Sequence, residues 1–197
     1  MIRNIIFDLG NVLVHVDFAR SKKCLLSAGI KEKDFNSFFS KKIRRDFELG
    51  KISTDVFMDM AYHKLGEIVS KSRLKWLFTD MFEEIPEMKK LLKNLAQKNK
   101  YKLLILSNTN PLHFNYGRKK FKYINLVNNF ILSYKLKMIK PDKRLFRTVI
   151  KKHNLVPSET LFIDDLKENC LAAEDTGMKT ICYRNYGAFI KQFKKLC

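Results

Sequence analysis

The chain has 197 residues, enough to bury one core and a small second unit, and its 46% hydrophobic content argues against disorder. No apolar run approaches the roughly 18 residues that a membrane span requires, and the N-terminal apolar stretch is too short for a signal peptide. We therefore expect a cytoplasmic protein that does not enter a membrane. The net charge of +19 excludes little by itself, because a lysine-rich surface carries such a charge without any polyanionic partner.

The first strand is predicted at residues 2–7, "IRNIIF", a short apolar, β-branched run of the kind found in buried strands. From about residue 18 to 85 the apolar residues follow helical spacing, and Ser53 in "STDVF" is a candidate N-cap. This segment contains no strand-like run, so we predict about four helices there.

After Pro86 the pattern changes to alternating helices and strands. "EMKKLLKNLAQK", "RLFRTVIKKHN" and "ENCLAAEDTG" are predicted helices, and "KLLILSN", "FILSYKL", "TLFIDD" and "KTICY" are predicted strands. Strands that alternate with helices indicate a parallel, doubly wound sheet. The predicted fold is therefore an α/β protein with a Rossmann-like core, residues 1–16 and 86–197, and a small α-helical cap, residues 17–85, inserted after the first strand.

Reactive or phosphate-binding residues follow three of the predicted strands. Asp8 follows the first strand, Ser107 and Asn108 follow the second, and Asp164 with Asp165 ends a third. Ligands of open parallel sheets bind at the carboxyl ends of the strands, so these residues can converge. Carboxylates suit Mg²⁺, and Lys140, just before a helix, could neutralise a phosphate.

The motifs "FDLGNVL", "LLILSNT", "KP" and "LFIDDLKENCLAAEDTGM", in this order, resemble the haloacid dehalogenase-like (HAD) hydrolase superfamily, in the branch with a small helical cap. The resemblance spans essentially the whole chain. "FDLGNV" followed by "HVDF", and "ELGKISTDVF" in the cap, are most similar to sugar phosphatases of the α-D-glucose-1-phosphate phosphatase type. The resemblance implies a Mg²⁺-dependent phosphatase that hydrolyses a small phosphorylated metabolite, with a sugar phosphate as the preferred class. We expect a monomer or homodimer.

The resemblance also implies a role for each matched residue. Asp8 would attack phosphorus and form an aspartyl-phosphate. Ser107, the Asn108 amide and Lys140 would hold the phosphate. The implied metal ligands are Asp8, the Gly10 carbonyl, Asp164 and Asp165.

Gly10 departs from the family pattern, because phosphatases of this superfamily commonly carry a second aspartate there as general acid and base. General acid–base catalysis typically raises the rate about 10²- to 10⁴-fold. His15 and Asp17 are the candidate replacements, although a packed or solvated side chain is the simpler interpretation of His15 and a helix cap that of Asp17. Relatives that hydrolyse phosphate esters share the glycine, so its presence is compatible with activity.

Several further residues allow two interpretations. Glu48, Lys51 and Arg45 could select the substrate, but a solvated helix face is the simpler interpretation. His113 and His153 are expected at the surface, and Asn169 is expected to support the acidic loop. The four cysteines lack metal-binding spacing and are expected to be reduced and mainly buried.

Two other functions stay open. Residues 87–197 carry 24 basic and 8 acidic side chains. The stretch "HFNYGRKKFKY" alternates basic and aromatic residues, as nucleic-acid-binding surfaces do. The chain could therefore be a weakly active or inactive member of the fold that binds a polyanion. Carbon–halogen hydrolysis is the second alternative, but it needs no Mg²⁺, and the Asp164–Asp165 pair argues against it.

Overall fold

The computed structural model describes residues 1–197, and its centre is a five-stranded parallel sheet. The strands lie in the order β5-β4-β1-β6-β7, with β1 in the middle. In register, Phe7 of β1 pairs with Ile105 of β4 on one side and with Ile163 of β6 on the other. The strands are β1 (Asn4–Phe7), β4 (Lys102–Ser107), β5 (Asn129–Leu132), β6 (Thr160–Asp164) and β7 (Lys179–Cys182).

The sheet is covered on both faces, which explains why its central strands are continuous apolar runs. Ile5 and Phe7 of β1 point into one hydrophobic cluster, and Ile6 between them points into another on the opposite face. The helices outside the cap are α6 (Pro86–Lys98), α7 (Pro111–Lys120), α8 (Ser133–Leu136), α9 (Lys143–His153), α10 (Lys167–Glu174) and α11 (Tyr186–Leu196). The expected Rossmann-like α/β core is confirmed.

Between β1 and α6 the chain builds the expected helical cap. It contains five helices rather than four: α1 (Phe18–Ser27), α2 (Glu32–Phe38), α3 (Lys41–Glu48), α4 (Thr54–Lys64) and α5 (Lys71–Thr79). Ser53 does cap α4, accepting a hydrogen bond from the Val56 amide at 3.2 Å. A separate hydrophobic cluster of the cap, with Phe38, Phe57 and Phe78 in mutual contact, holds these helices together.

Two strand predictions were wrong. A short antiparallel pair, β2 (Val14–Val16) with β3 (Phe82–Glu84), connects the cap to the core, although residues 18–85 show no strand-like pattern. A three-residue strand is too short to show an alternation. The predicted strand "FILSYKL" is a strand only to Leu132, because Ser133 begins the short helix α8.

The cap contacts the core closely at the end of α3. The Ser133 hydroxyl donates to the Glu48 carbonyl at 2.7 Å and accepts from the Thr109 amide at 2.9 Å. Lys137 Nζ donates to the Gly50 carbonyl at 2.5 Å. These bonds join the turn after α3 to the loop that follows β4.

A methyl group added at Gly50 should disturb this contact. Gly50 has φ +62°, and a Cβ there would lie 2.5 Å from the Tyr134 carbonyl oxygen. We expect Gly50→Ala to lower the free energy of unfolding by about 2 kcal/mol or more, because left-handed backbone alone costs about 1–2 kcal/mol for a residue with a Cβ. Gly117→Ala is the matched control: Gly117 is helical with open space at Cβ, so alanine should be neutral or stabilising there. Urea unfolding measures the stability of both variants, and an equal change in their free energies of unfolding would contradict the prediction.

None of the helices combines the length and apolar character needed to cross a bilayer. The four cysteines are free thiols, as expected. Only Cys170 is buried, whereas the other three are half-buried, so the expectation that they are mainly buried was wrong.

Candidate active site

The carboxyl ends of the three central strands bring the predicted residues to one place. Asp8 directly follows β1, Ser107 ends β4 and Asp164 ends β6. Each of these three residues is at most 9% exposed. Because β1 pairs in register with both neighbours, residues about 100 and 156 positions apart in sequence meet at one sheet edge.

Lys140 is the centre of a buried charge network. Its Nζ lies 2.8 Å from Asp8 Oδ1 and 2.6 Å from Asp164 Oδ2, and it donates to the Leu106 carbonyl at 3.1 Å. Burial acts to lower the pKa of Lys140, but the two carboxylates outweigh it and hold the pKa above its usual value. All three N–H groups are thereby engaged. Lys140 would act on a phosphate mainly through its charge.

Asn108 positions Lys140 through the main chain. Its side-chain amide donates to the Lys140 carbonyl at 3.0 Å and its Oδ1 accepts from the Lys140 amide at 2.9 Å. The peptide bond that follows, Lys140–Pro141, is cis. The side chain of Asn108 is therefore occupied, which leaves its main-chain N–H as the group available to a ligand, together with the buried Ser107 hydroxyl beside it.

Asp8 is buried where a negative charge is costly. Burial raises its pKa to about 7, the Asp164 carboxylate acts in the same direction, and Lys140 acts against both. Oδ1 is fixed by Lys140 and by the Leu9 amide, which donates at 2.7 Å. Oδ2 has no hydrogen-bond partner in the protein, and Asp8 lines the cavity described below. One carboxylate oxygen is therefore held and the other is free.

The three acids form a cluster that can hold a divalent cation. Oxygen atoms of Asp8, Asp164 and Asp165 all lie within 4.8 Å of one another. Burial raises the pKa of Asp165, and the Asn11 amide, which donates to Asp165 at 3.2 Å, acts against it. Clustered carboxylate oxygens are the ligands that hard divalent cations prefer.

Asn169 adds a further oxygen at this cluster. Its amide donates to Asp164 Oδ1 at 2.8 Å, so it does support the acidic loop as expected. Its Oδ1 is the one fully buried side-chain oxygen or nitrogen in the structure without a hydrogen-bond partner. A buried acceptor without a donor is costly, and a hydrated cation supplies donors. The donor set therefore fits a hard metal ion.

Asp8, Gly10, Ser107, Asn108, Lys140 and Asp165 line one cavity of about 690 Å³ between the sheet edge and the cap. Its volume lies in the range of small-molecule sites, about 300–1,000 Å³. The cap side is largely aromatic, with Phe18, Phe35 and Phe39 among its lining residues. A small metabolite fits this space.

The two candidate acid–base residues do not reach the cavity. Asp17 caps α1, with Oδ1 accepting from the Arg20 amide at 2.9 Å. His15 is exposed on β2, opposite Glu83 of β3. The structure therefore brings neither side chain to Asp8, and Gly10 has no substitute among the residues that immediately follow it.

Glu48 and His113 line the cavity, although a solvated helix face was the simpler interpretation for Glu48 and the surface was expected for His113. The His113 ring packs edge-on against Phe82 at 5.2 Å, and burial lowers its pKa to about 4. Lys51 and Arg45 are outside the cavity lining. No sequence signal separates Glu48 from its charged neighbours, because only the placement of α3 against α8 decides which of them faces inward.

The basic and aromatic stretch 113–123 does not present aromatic rings to solvent as a set. Phe114 and Phe121 are buried, and Tyr116 is half-buried beside Phe82. Lys120 lies over the Tyr116 and Phe121 rings. These aromatics pack against the protein, which leaves them unavailable as a stacking platform for bases.

Similar proteins are known in sequence and in structure. The chain is 29% identical over 188 residues to D-ribitol-5-phosphate phosphatase from Bacteroides thetaiotaomicron, covering 91% of each chain. A solved HAD family enzyme from the same organism, in complex with magnesium and inorganic phosphate, superposes with a TM-score of 0.82 at 27% identity, over 96% of this chain and 99% of that one.

A second solved structure, a HAD-like hydrolase from Porphyromonas gingivalis, superposes with a TM-score of 0.81 at 29% identity, over 100% of this chain and 98% of that one. The haloacid dehalogenase-like hydrolase family matches residues 5–183, which include the whole cap and all of the central sheet except Asn4. The chain belongs to the haloacid dehalogenase-like hydrolase family.

Proposed function

We propose that the protein is a Mg²⁺-dependent phosphatase that hydrolyses a small phosphorylated metabolite, a sugar phosphate in our preferred assignment, through an aspartyl-phosphate on Asp8. The observation that carries this proposal is the Asp8 carboxylate, fixed through Oδ1 at 2.8 Å from Lys140 and free at Oδ2. The similarity to D-ribitol-5-phosphate phosphatase and to the magnesium and phosphate complex supports the same assignment.

Asp8 would act as the nucleophile through its free oxygen. Oδ2 attacks phosphorus, the ester bond breaks and the alcohol leaves; water then attacks the phosphoryl group and restores the carboxylate. Lys140 favours the charged form of Asp8, because the ammonium opposes the effect of burial on its pKa. Positioning and electrostatic stabilisation supply most of the catalysis in phosphoryl transfer.

Three groups would bind the metal directly, a fourth would add negative charge beside it, and three further groups would stabilise the phosphate. Asp8, Asp165 and the Gly10 carbonyl would be direct ligands, and Asp164, whose oxygens already accept from Lys140, Leu166 and Asn169, would contribute mainly its charge. Bound Mg²⁺ supplies positive charge that stabilises the transferring phosphoryl group. Ser107 and the Asn108 N–H would hold the phosphate oxygens, and Lys140 would stabilise them through its charge.

Residues 17–85 would close over the substrate and exclude bulk water during transfer. A cavity closed by the cap would suit a small metabolite better than a polymer. We retain the cytoplasmic localisation and the monomeric or homodimeric state as predictions from the sequence.

Phosphate release from sugar phosphates and nucleotides, with Mg²⁺ and with EDTA, tests this function. We expect turnover that requires Mg²⁺ and is fastest with a sugar phosphate. Calorimetric titration with Mg²⁺ provides a readout independent of activity, and Asp165→Asn should weaken binding. Chloride release from 2-chloropropionate without added metal would instead favour dehalogenation. Inactivity on every substrate, with polyanion binding that weakens steeply between about 50 and 200 mM salt, would favour the binding alternative.

A further inference from the structure

The reaction proposed above needs a proton at the leaving oxygen, and the residues around Gly10 do not supply one. Apart from Asp8, Asp165 and Lys140, the titratable side chains that line the cavity are Lys22, Arg44, Glu48 and His113. Lys22 is paired with Glu32 at 2.5 Å, and a guanidinium such as Arg44 does not release its proton. Two candidates remain.

His113 is already engaged by its neighbours and lacks the second ring proton that an imidazolium acid would transfer. Its Nδ1 lies 3.1 Å from the Asn110 amide nitrogen, and it also bonds the main chain of Phe78. With a pKa near 4 its ring is neutral at physiological pH. His113 therefore joins α7 of the core to α5 of the cap and is unsuited to acid catalysis.

Glu48, in contrast to His113, has a carboxyl group without partners in the protein. Its carboxyl group makes no hydrogen bond or ion pair, although it is half-buried and lines the cavity. Burial raises its pKa, which favours the protonated form that a general acid needs, and Arg44 one turn earlier acts against this. Lys137, on the facing segment, donates to Gly50 rather than to Glu48.

The main chain fixes Glu48 relative to the predicted phosphate site. The Glu48 carbonyl accepts from Ser133 Oγ at 2.7 Å, and the same Oγ contacts the Thr109 amide at 2.9 Å, one residue beyond Asn108. A single hydroxyl therefore connects the end of α3 to the loop after β4. Because Glu48 belongs to the cap and lines the cavity, its free carboxyl is available to the leaving group of a substrate whose phosphate lies at Asp8.

Resting on the proposed phosphatase function, we propose that Glu48 replaces the carboxylate missing at Gly10 and is the catalytic acid and base of the reaction. As Asp8 Oδ2 bonds to phosphorus, the ester P–O bond breaks and its electron pair takes the proton from Glu48, releasing the alcohol. The Glu48 carboxylate then accepts a proton from the attacking water. Breakage of the bond between Asp8 and phosphorus releases phosphate and leaves Glu48 protonated for the next cycle.

Glu48→Gln, an isosteric change, tests this role with two substrates that differ in leaving group. For the alkyl phosphate that the wild type hydrolyses fastest, kcat should fall by roughly 10²-fold or more, the usual size of general acid–base help. For p-nitrophenyl phosphate, whose leaving group needs no proton, the burst of nitrophenolate that reports the first step should keep its rate within about threefold. Glu67→Gln, an exposed cap residue, is the matched control.

The outcomes separate this role from others. An equal loss of rate on both substrates, or a raised KM with unchanged kcat, would show that Glu48 only shapes the cavity or binds the substrate. Either result would overturn the proposal. Unchanged kinetics would overturn it as well. A thermal melt of the variant excludes unfolding as the cause. If the wild type hydrolyses no phosphate ester, the phosphatase function itself fails; an active wild type with an unaffected variant refutes Glu48 alone.

Discussion

Asp8→Asn should abolish turnover while leaving the protein folded. An amide cannot form the aspartyl-phosphate, so we expect phosphate release to fall on the order of 10⁴-fold or more. Stability should change by about 1 kcal/mol or less, because burial already raises the Asp8 pKa to about 7 and the lost charge was weakly favoured at neutral pH. Initial rates with Mg²⁺ and urea unfolding check the two parts.

The matched control is Asp55→Asn, in the first turn of α4, where the carboxylate is exposed. It removes one negative charge from the cap without touching the cavity, so activity should stay near that of the wild type. Turnover by Asp8→Asn within about tenfold of the wild type would assign the nucleophile to another residue, because loss of a covalent catalyst is far larger.

Lys140→Met should produce the largest loss of stability of any single change considered. Lys140 is 3% exposed, and its removal leaves Asp8 and Asp164 buried without their cation. Breaking a buried ion pair from one side typically costs about 3–5 kcal/mol, and methionine keeps the volume of the stem. We expect a loss of this size by urea unfolding at pH 8 with EDTA present.

The loss should be smaller at pH 5. Burial already raises the pKa of Asp8, and without the ammonium this pKa rises further above its unfolded value, so the variant gains a proton on folding. A raised folded pKa gives stability that is fully present below the unfolded pKa and is lost as the pH rises through the folded value. The gap between wild type and variant should therefore widen from pH 5 to pH 8.

Lys143→Met provides the control for this change. Its pair with Asp175 is exposed, with 55% and 53% of the two side chains accessible, so its loss should cost less than about 1 kcal/mol. A Lys140→Met variant no less stable than this control at pH 8 would show that the network is not held by the ammonium.

The sequence alone predicted the residues that meet at the sheet edge. Asp8, Ser107 and Asp164 each end a run of apolar residues, and such runs form central strands because both faces of the sheet are covered. Parallel strands put their carboxyl ends at one edge, so the convergence followed from chain order without coordinates. The cap was also predictable as helical, because its apolar residues follow a helical period.

Side-chain partners could be known only from the tertiary structure. Glu48 and Arg45 are both charged residues of α3, and only the packing of that helix against the Ser133–Lys137 segment turns one into the cavity and leaves the other outside. Likewise, Asp17 and His15 follow Gly10 closely in sequence, but the β2–β3 pair carries them away from Asp8. Local pattern determines which elements form; which groups become buried together depends on how distant elements pack, and burial sets their pKa values and partners.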